Sequence, residues 1–216
     1  MKARIEFRNA NPKVMPLLLA IESYLRNSSL GERLLNLIDT RASQINRCAH
    51  CLDMHTKDAR AEGETEQRLY ALDAWRETPF FDERERAALA WTEAVTRVAD
   101  GHVPDEVYEQ ARQCFSEAEL VDLTLAVASI NTWNRLNIAF RTVPGSYRAG
   151  SLKSTLAALK PPAAAACASR CGTGNRVRWR AECSRRTARP PPGEPPACSR
   201  RTRRAAPARG ARRDCP

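Results

Sequence analysis

Ser43-Gln44-Ile45-Asn46-Arg47-Cys48-Ala49-His50-Cys51-Leu52-Asp53-Met54-His55 is the stretch on which the reading of this 216-residue chain turns. Two cysteines three apart, with a histidine four residues further on, suit one helical stripe. At 100° per residue, positions 48, 51 and 55 fall within about 60° of one another. Asn46 is placed to cap that helix, its side-chain oxygen accepting a free first-turn amide. Gly63 is placed to end it, because glycine enters the left-handed region without a Cβ clash. Cys48 would then sit in the first turn, where unpaired amides and the helix dipole favour a thiolate, and Arg47 adds a cation. The arrangement suits thiol–disulfide exchange.

The flanking sequence is helical in period throughout. Residues 1–12 are expected to be an irregular arm. Met15, Leu18, Leu19, Glu22 and Leu25 mark a helix from about Lys13 to Asn27, with Pro16 in its first turn. Leu34, Leu35, Leu37, Ile38 and Ile45 mark the next, which ends before the cysteines. After the motif helix comes a short one around Leu69 and Trp75, broken at Pro79. Asp82 with Glu85, and Ser116 with Glu119, have the spacing of capping boxes. The first opens a helix to about Asp100, and Asp105–Cys114 forms another. The second box opens a long helix to about Asn137, apolar on most sides and so expected at the centre. Leu152–Leu159 can add a last turn or two. No alternating run is long enough for a strand, and the fold class predicted is all-α.

Composition divides the chain in two. The net charge is +10, but residues 161–216 alone carry 14 arginines against 3 acids, or +11, which leaves residues 1–160 at −1. That tail has no Leu, Ile, Met, Phe or Tyr, and it holds nine of the 14 prolines. Such a segment cannot bury enough surface to offset its ordering entropy, so it is predicted to be disordered. A helical domain over residues 13–160 is left. No secretory pattern follows Met1-Lys2-Ala3-Arg4, and Leu17–Ile21 is too short to cross a bilayer, so a cytoplasmic setting without membrane association is expected. In a reducing compartment a CxxC pair is more often catalytic or metal-binding than structural.

Taken together, Ser43-Gln44-Ile45-Asn46-x-Cys48-Ala49-x-Cys51-x-x-x-His55-Thr56-x-x-Ala59-Arg60 resembles the signature of the carboxymuconolactone decarboxylase superfamily, in its AhpD-like, alkylhydroperoxidase branch. Gly63-Glu64-Thr65, Trp75-Arg76-x-Thr78, Phe81-x-x-Arg84-Glu85-Arg86 and Trp133-Asn134-Arg135 resemble its small members in order and spacing. The resemblance covers roughly residues 13–145. It implies a single-domain helical bundle in a homo-oligomer, commonly a trimer or larger. It also implies a cofactor-free peroxidase that turns over a peroxide substrate with a dithiol reductant. By the same resemblance Cys51 attacks the peroxide, Cys48 is the more exposed partner that exchanges with the reductant, His55 belongs to a proton relay, and His50 matches a motif histidine. Two positions depart from the pattern. Arg47 stands where glycine is usual, and Asn36 stands where the relay has a glutamate.

Other readings set limits. Zinc usually takes a fourth protein ligand beyond two cysteines and a histidine, and none is evident here, so no metal is expected. On an ideal helix His50 points away from the Cys51–His55 stripe, which fits a surface or satisfied-core residue. His102 reads as incidental, Cys114 as packed rather than reactive, and Trp133, Asn134 and Asn137 as core. The arginine tail lacks aromatic interleaving and any recognisable module, which argues against a nucleic-acid partner. The lactone decarboxylases usually lack a CxxC pair, so the pair argues against that chemistry. Asn36 leaves open a non-catalytic oligomeric member of the fold.

Overall fold

A computed structural model describes residues 2–158, and the tail at 161–216 lies outside them. The helices in order are α1 (Phe7–Ala10), α2 (Val14–Arg26), α3 (Glu32–Asn46), α4 (Ala49–Ala61), α5 (Glu66–Ala71), a 3₁₀ turn (Leu72–Glu77), α6 (Glu83–Thr96), α7 (Val98–Gly101), α8 (Asp105–Cys114), α9 (Glu117–Phe140) and α10 (Ser151–Ala158). There is no strand among the described residues, and the protein is all-α. No described helix is long and apolar enough to cross a membrane.

Both capping boxes form as their spacing predicts. Asp82 accepts from the Glu85 amide and Ser116 from the Glu119 amide, while each glutamate returns a bond to its cap residue. The N-terminal arm is not wholly irregular. It makes one turn, α1, because Phe7 has a ring to pack on: its centroid lies 5.8 Å from that of Phe140, and Arg4 N–H donates to the Phe140 carbonyl.

Helices α3, α6 and α9 enclose the main core, in which Leu35, Ile38, Ala88, Trp91, Leu123 and Val127 are buried. A second cluster joins Leu37, Leu72, Trp75, Phe81 and Leu89. Glu93 ties its edge, accepting from Arg41 Nε at 2.8 Å, from Trp75 Nε1 at 2.9 Å and from Arg76. Burial opposes charge on Glu93, but those donors outweigh it and hold the carboxyl below its usual range. A third cluster, Ala42, Cys48, Cys51 and Ile130 with Trp133 against it, packs the two sulfurs at the meeting of α3, α4 and α9.

The corner between α3 and α4 differs from expectation. Asn46 does not cap α4. It is the last residue of α3, and its Nδ2 lies 3.0 Å from the Ala42 carbonyl, 3.0 Å from Asn131 Oδ1 and 2.8 Å from Asn134 Oδ1. Partners on α9 therefore claim the amide that local sequence would give to a cap. The chain reverses at Arg47 instead, which is left-handed at φ 56° and ψ 42°. Cys48 N–H then closes the α3 end on the Ser43 carbonyl at 3.0 Å, and Cys48 becomes the cap residue of α4.

A non-glycine in the left-handed region carries a steric cost, and the Arg47 side chain is exposed. Arg47→Gly is accordingly expected to stabilise the fold by roughly 0.5–1 kcal/mol and Arg47→Val to destabilise it. Urea midpoints at unchanged m-value measure this. A lower midpoint for the glycine variant would show that the corner is not strained.

Candidate active site

The cap position sets the state of the sulfurs. Cys48 Sγ receives the Cys51 S–H, the interaction that lowers its pKa most; burial opposes this, and the free amides of Cys51 and His50 add to the lowering. The same thiol–thiol bond pushes the Cys51 thiol up, followed by burial and the charge on Cys48. Cys48 is thus the more acidic thiol of the pair and Cys51 the one that keeps its proton more firmly, with the helix N-terminus adding to the difference. Cys48 is not the more exposed sulfur, since both cysteines are only 1% exposed. They differ in what they face. Cys51 lines a cavity of about 510 Å³, whereas Cys48 faces the packed cluster of Ala42 and Ile130.

That cavity gathers three of the four predicted residues, His50, Cys51 and His55, and several others. His50 and His55 line it beside Cys51, because the open face of α4 runs through His50, Cys51, Met54 and His55. His50 is therefore neither surface nor satisfied core: it is 8% exposed, and its Nδ1 has no hydrogen-bond partner. Trp133 and Asn137, read from sequence as core, line it from α9, and Asn137 Nδ2 donates to Cys51 Sγ at 3.5 Å. The other Asn of that helix, Asn134, stays in the core, donating to Ser43 Oγ at 3.0 Å. A strap before α10 covers one side. Asp53 holds it through the Gly145 amide at 3.0 Å, and Asp58 through Tyr147 Oη at 2.7 Å and the Gly150 amide at 2.9 Å.

Two carboxyls in the cavity were not singled out from sequence. Glu22 of α2 accepts at one oxygen from Ser129 Oγ at 2.7 Å and Trp133 Nε1 at 3.0 Å. Burial raises its pKa, and the nearby charge of Asp39 adds to the rise. Asp39 of α3 accepts from Arg26 at 2.6 Å and lies 3.5 Å from His55 Nδ1. Burial pushes Asp39 up to about 6 against the pull of Arg26. Burial likewise pushes His55 down to about 3, and the Arg26 cation adds to it. At neutral pH the group holds a charged Arg26–Asp39 pair beside a neutral His55 whose ring nitrogens are both unpartnered. Asn36, the position where a relay carboxylate was missing, does not line this cavity. Its Oδ1 accepts from Arg26 at 3.0 Å, and its side chain lines a separate, smaller cavity.

Residues 12–94 match the carboxymuconolactone decarboxylase family. An uncharacterised protein of Bacillus subtilis, YdfG, is 43% identical over 139 residues, which is 64% of this chain and 95% of that one. A solved structure from Agrobacterium tumefaciens, of a protein of unknown function with a suggested role in antioxidant defence as AhpD, is similar at a TM-score of 0.65. It shares 42% identity and covers 68% of this chain and 100% of its own. A peroxidase-related protein from Silicibacter, also uncharacterised, shares the fold at a TM-score of 0.58 and 23% identity, over 66% of this chain and 75% of its own.

The buried pair gives a pH test. The folded His55 pKa near 3 lies below the unfolded value, so the unfolded chain takes up the proton first as pH falls. The stability that neutral His55 contributes is lost from about pH 6.5 down to 3. Asp39 acts with the opposite sign: its folded value near 6 is raised, so its contribution is complete below about pH 4 and is lost as pH rises through 6. His55→Gln removes only the first effect. Between pH 6 and 4 the variant should lose less stability than wild type, by up to about 1.4 kcal/mol per pH unit. Urea unfolding across that range measures the difference, and parallel curves would show that His55 is not held neutral.

Proposed function

The chain belongs to the carboxymuconolactone decarboxylase family, in its AhpD-like branch, and we propose from this that it is a thiol-dependent peroxidase that reduces a hydroperoxide through Cys51 and Cys48. The observation that carries the reading is the pairing of one sulfur on the cavity wall with a second hydrogen-bonded behind it.

In the proposed cycle neutral His55 takes the proton of the Cys51 thiol. The Cys51 thiolate attacks the outer peroxide oxygen, and the O–O bond breaks. The leaving alkoxide takes the proton that burial inclines Glu22 to keep. Cys51 is now a sulfenic acid and the substrate an alcohol. The Cys48 thiolate attacks the Cys51 sulfur, hydroxide leaves with the proton held on His55, and water and a disulfide result. A dithiol reductant then returns two electrons, restoring one thiol and one thiolate, and its remaining proton returns to Glu22. Because only Cys51 borders the cavity, the entering reductant meets Cys51 first and releases Cys48. Neither sulfur is exposed, which favours a small dithiol or a narrow protein arm over a broad docking face. A homo-oligomer in the cytoplasm, where thiols are kept reduced, completes the proposal.

Glu22→Gln preserves an acceptor for Ser129 and Trp133 and removes the proton. Hydroperoxide consumption with dithiothreitol is expected to fall by about 10²-fold or more. Exchange with a small disulfide should change much less, since thiolate fraction and leaving group govern it. Equal peroxide rates would remove Glu22 from the mechanism. No hydroperoxide consumption by the wild type would refute the peroxidase reading itself.

A further inference from the structure

The cavity is graded along its length. At its buried end lie Cys51, Glu22, Asp39 and His55. That end also presents polar atoms without partners: both ring nitrogens of His55, Nδ1 of His50 and Oδ1 of Asn137. Buried polar atoms are rarely left so, and they point to an occupant with polar atoms of its own. The middle is apolar, walled by Met15, Leu19, Met54, Ile130 and Leu152. Arg8, from α1, and Arg148, from the strap, also line the cavity and are exposed, so they stand at its opening. Among the described residues neither makes an ion pair, whereas Arg26, Arg41, Arg68, Arg76 and Arg84 all do. Separate contacts hold the two elements in place, Phe7 on Phe140 for one and Asp58 on Tyr147 for the other.

Size argues against the smallest substrate. At about 510 Å³ the cavity falls in the range of sites for drug-sized ligands, while a water-sized molecule occupies about 30 Å³. Charge then sets an orientation: no cation lines the buried end, where Asp39 already neutralises Arg26, whereas the arginines at the opening attract an anion. We propose that the cavity takes an organic hydroperoxide bearing a carboxylate or similar anionic group, its peroxide end at Cys51, its apolar body along the wall, and its anion on Arg8 and Arg148. This substrate class rests on the peroxidase reading, and its recognition element is separable from the chemistry.

The test compares cumene hydroperoxide with its para-carboxylate on the full chain, with dithiothreitol as reductant. The carboxylate should have a kcat/KM about fivefold higher at low salt, as expected of two solvent-exposed guanidinium contacts. The ratio should fall toward one in about 0.5 M salt and in an Arg8→Gln, Arg148→Gln double variant. Turnover of both hydroperoxides at a wild-type ratio of one or below overturns the anion site and leaves the peroxidase reading standing. If neither is turned over, binding decides, read by intrinsic tryptophan fluorescence, to which Trp133 on the cavity wall contributes, with 4-isopropylbenzoate and with isopropylbenzene. Tighter, arginine-dependent binding of the benzoate then sustains the anion site without peroxidase chemistry, and no preference overturns it.

Discussion

The structure depends on one left-handed residue. Arg47, at φ 56°, ends α3 and turns the chain so that Cys48 lands at the cap of α4. A continuous helix through position 47 would tie up the amides of His50 and Cys51 in carbonyl bonds. With the break where it is, they stay free for the Cys48 sulfur and add to the lowering of its pKa that the Cys51 thiol chiefly causes. The polar layer behind the turn, Asn46 with Asn131 and Asn134, fixes it against α9. That layer also explains why α9 brings Trp133 and Asn137 to the same cavity.

The second constraint is the cost of putting charge beside a buried site. Isolated, a buried Asp39 would simply stay protonated, and burial does raise it to about 6. Arg26 at 2.6 Å is what allows ionisation at neutral pH. Burial, with the Arg26 cation adding to it, keeps His55 neutral. Neutral imidazole can take a proton where imidazolium cannot.

Much of the fold was legible because its signals are local. The helix starts at Asp82 and Ser116 follow from side chains three residues apart, and the structure has both boxes. The corner at Arg47 was misread because asparagine at position 46 has the composition of a cap, while its actual partners lie 85 and 88 residues away. Glu22 was partly legible. It falls in the apolar stripe with Leu18, Leu19 and Leu25, where an acid must be buried, but its partner Ser129 is 107 residues distant and leaves no periodic trace. Asp39 sits in the same way among Leu35, Ile38 and Ala42 on α3. His50 was misplaced by treating one stripe as the whole functional face. The cavity spans a wider arc of α4, from His50 through Met54 to His55.

The proposed chemistry turns on which sulfur meets the oxidant. Electrostatics makes Cys48 the more acidic thiol, whereas Cys51 is the sulfur that borders the cavity. The direct measurement treats Cys48→Ser and Cys51→Ser proteins with one equivalent of cumene hydroperoxide, traps sulfenic acid with dimedone and locates the adduct by mass spectrometry. An adduct at Cys51 in the first variant, with none at Cys48 in the second, is the predicted result. The reverse pattern, or no adduct in either protein, would contradict it.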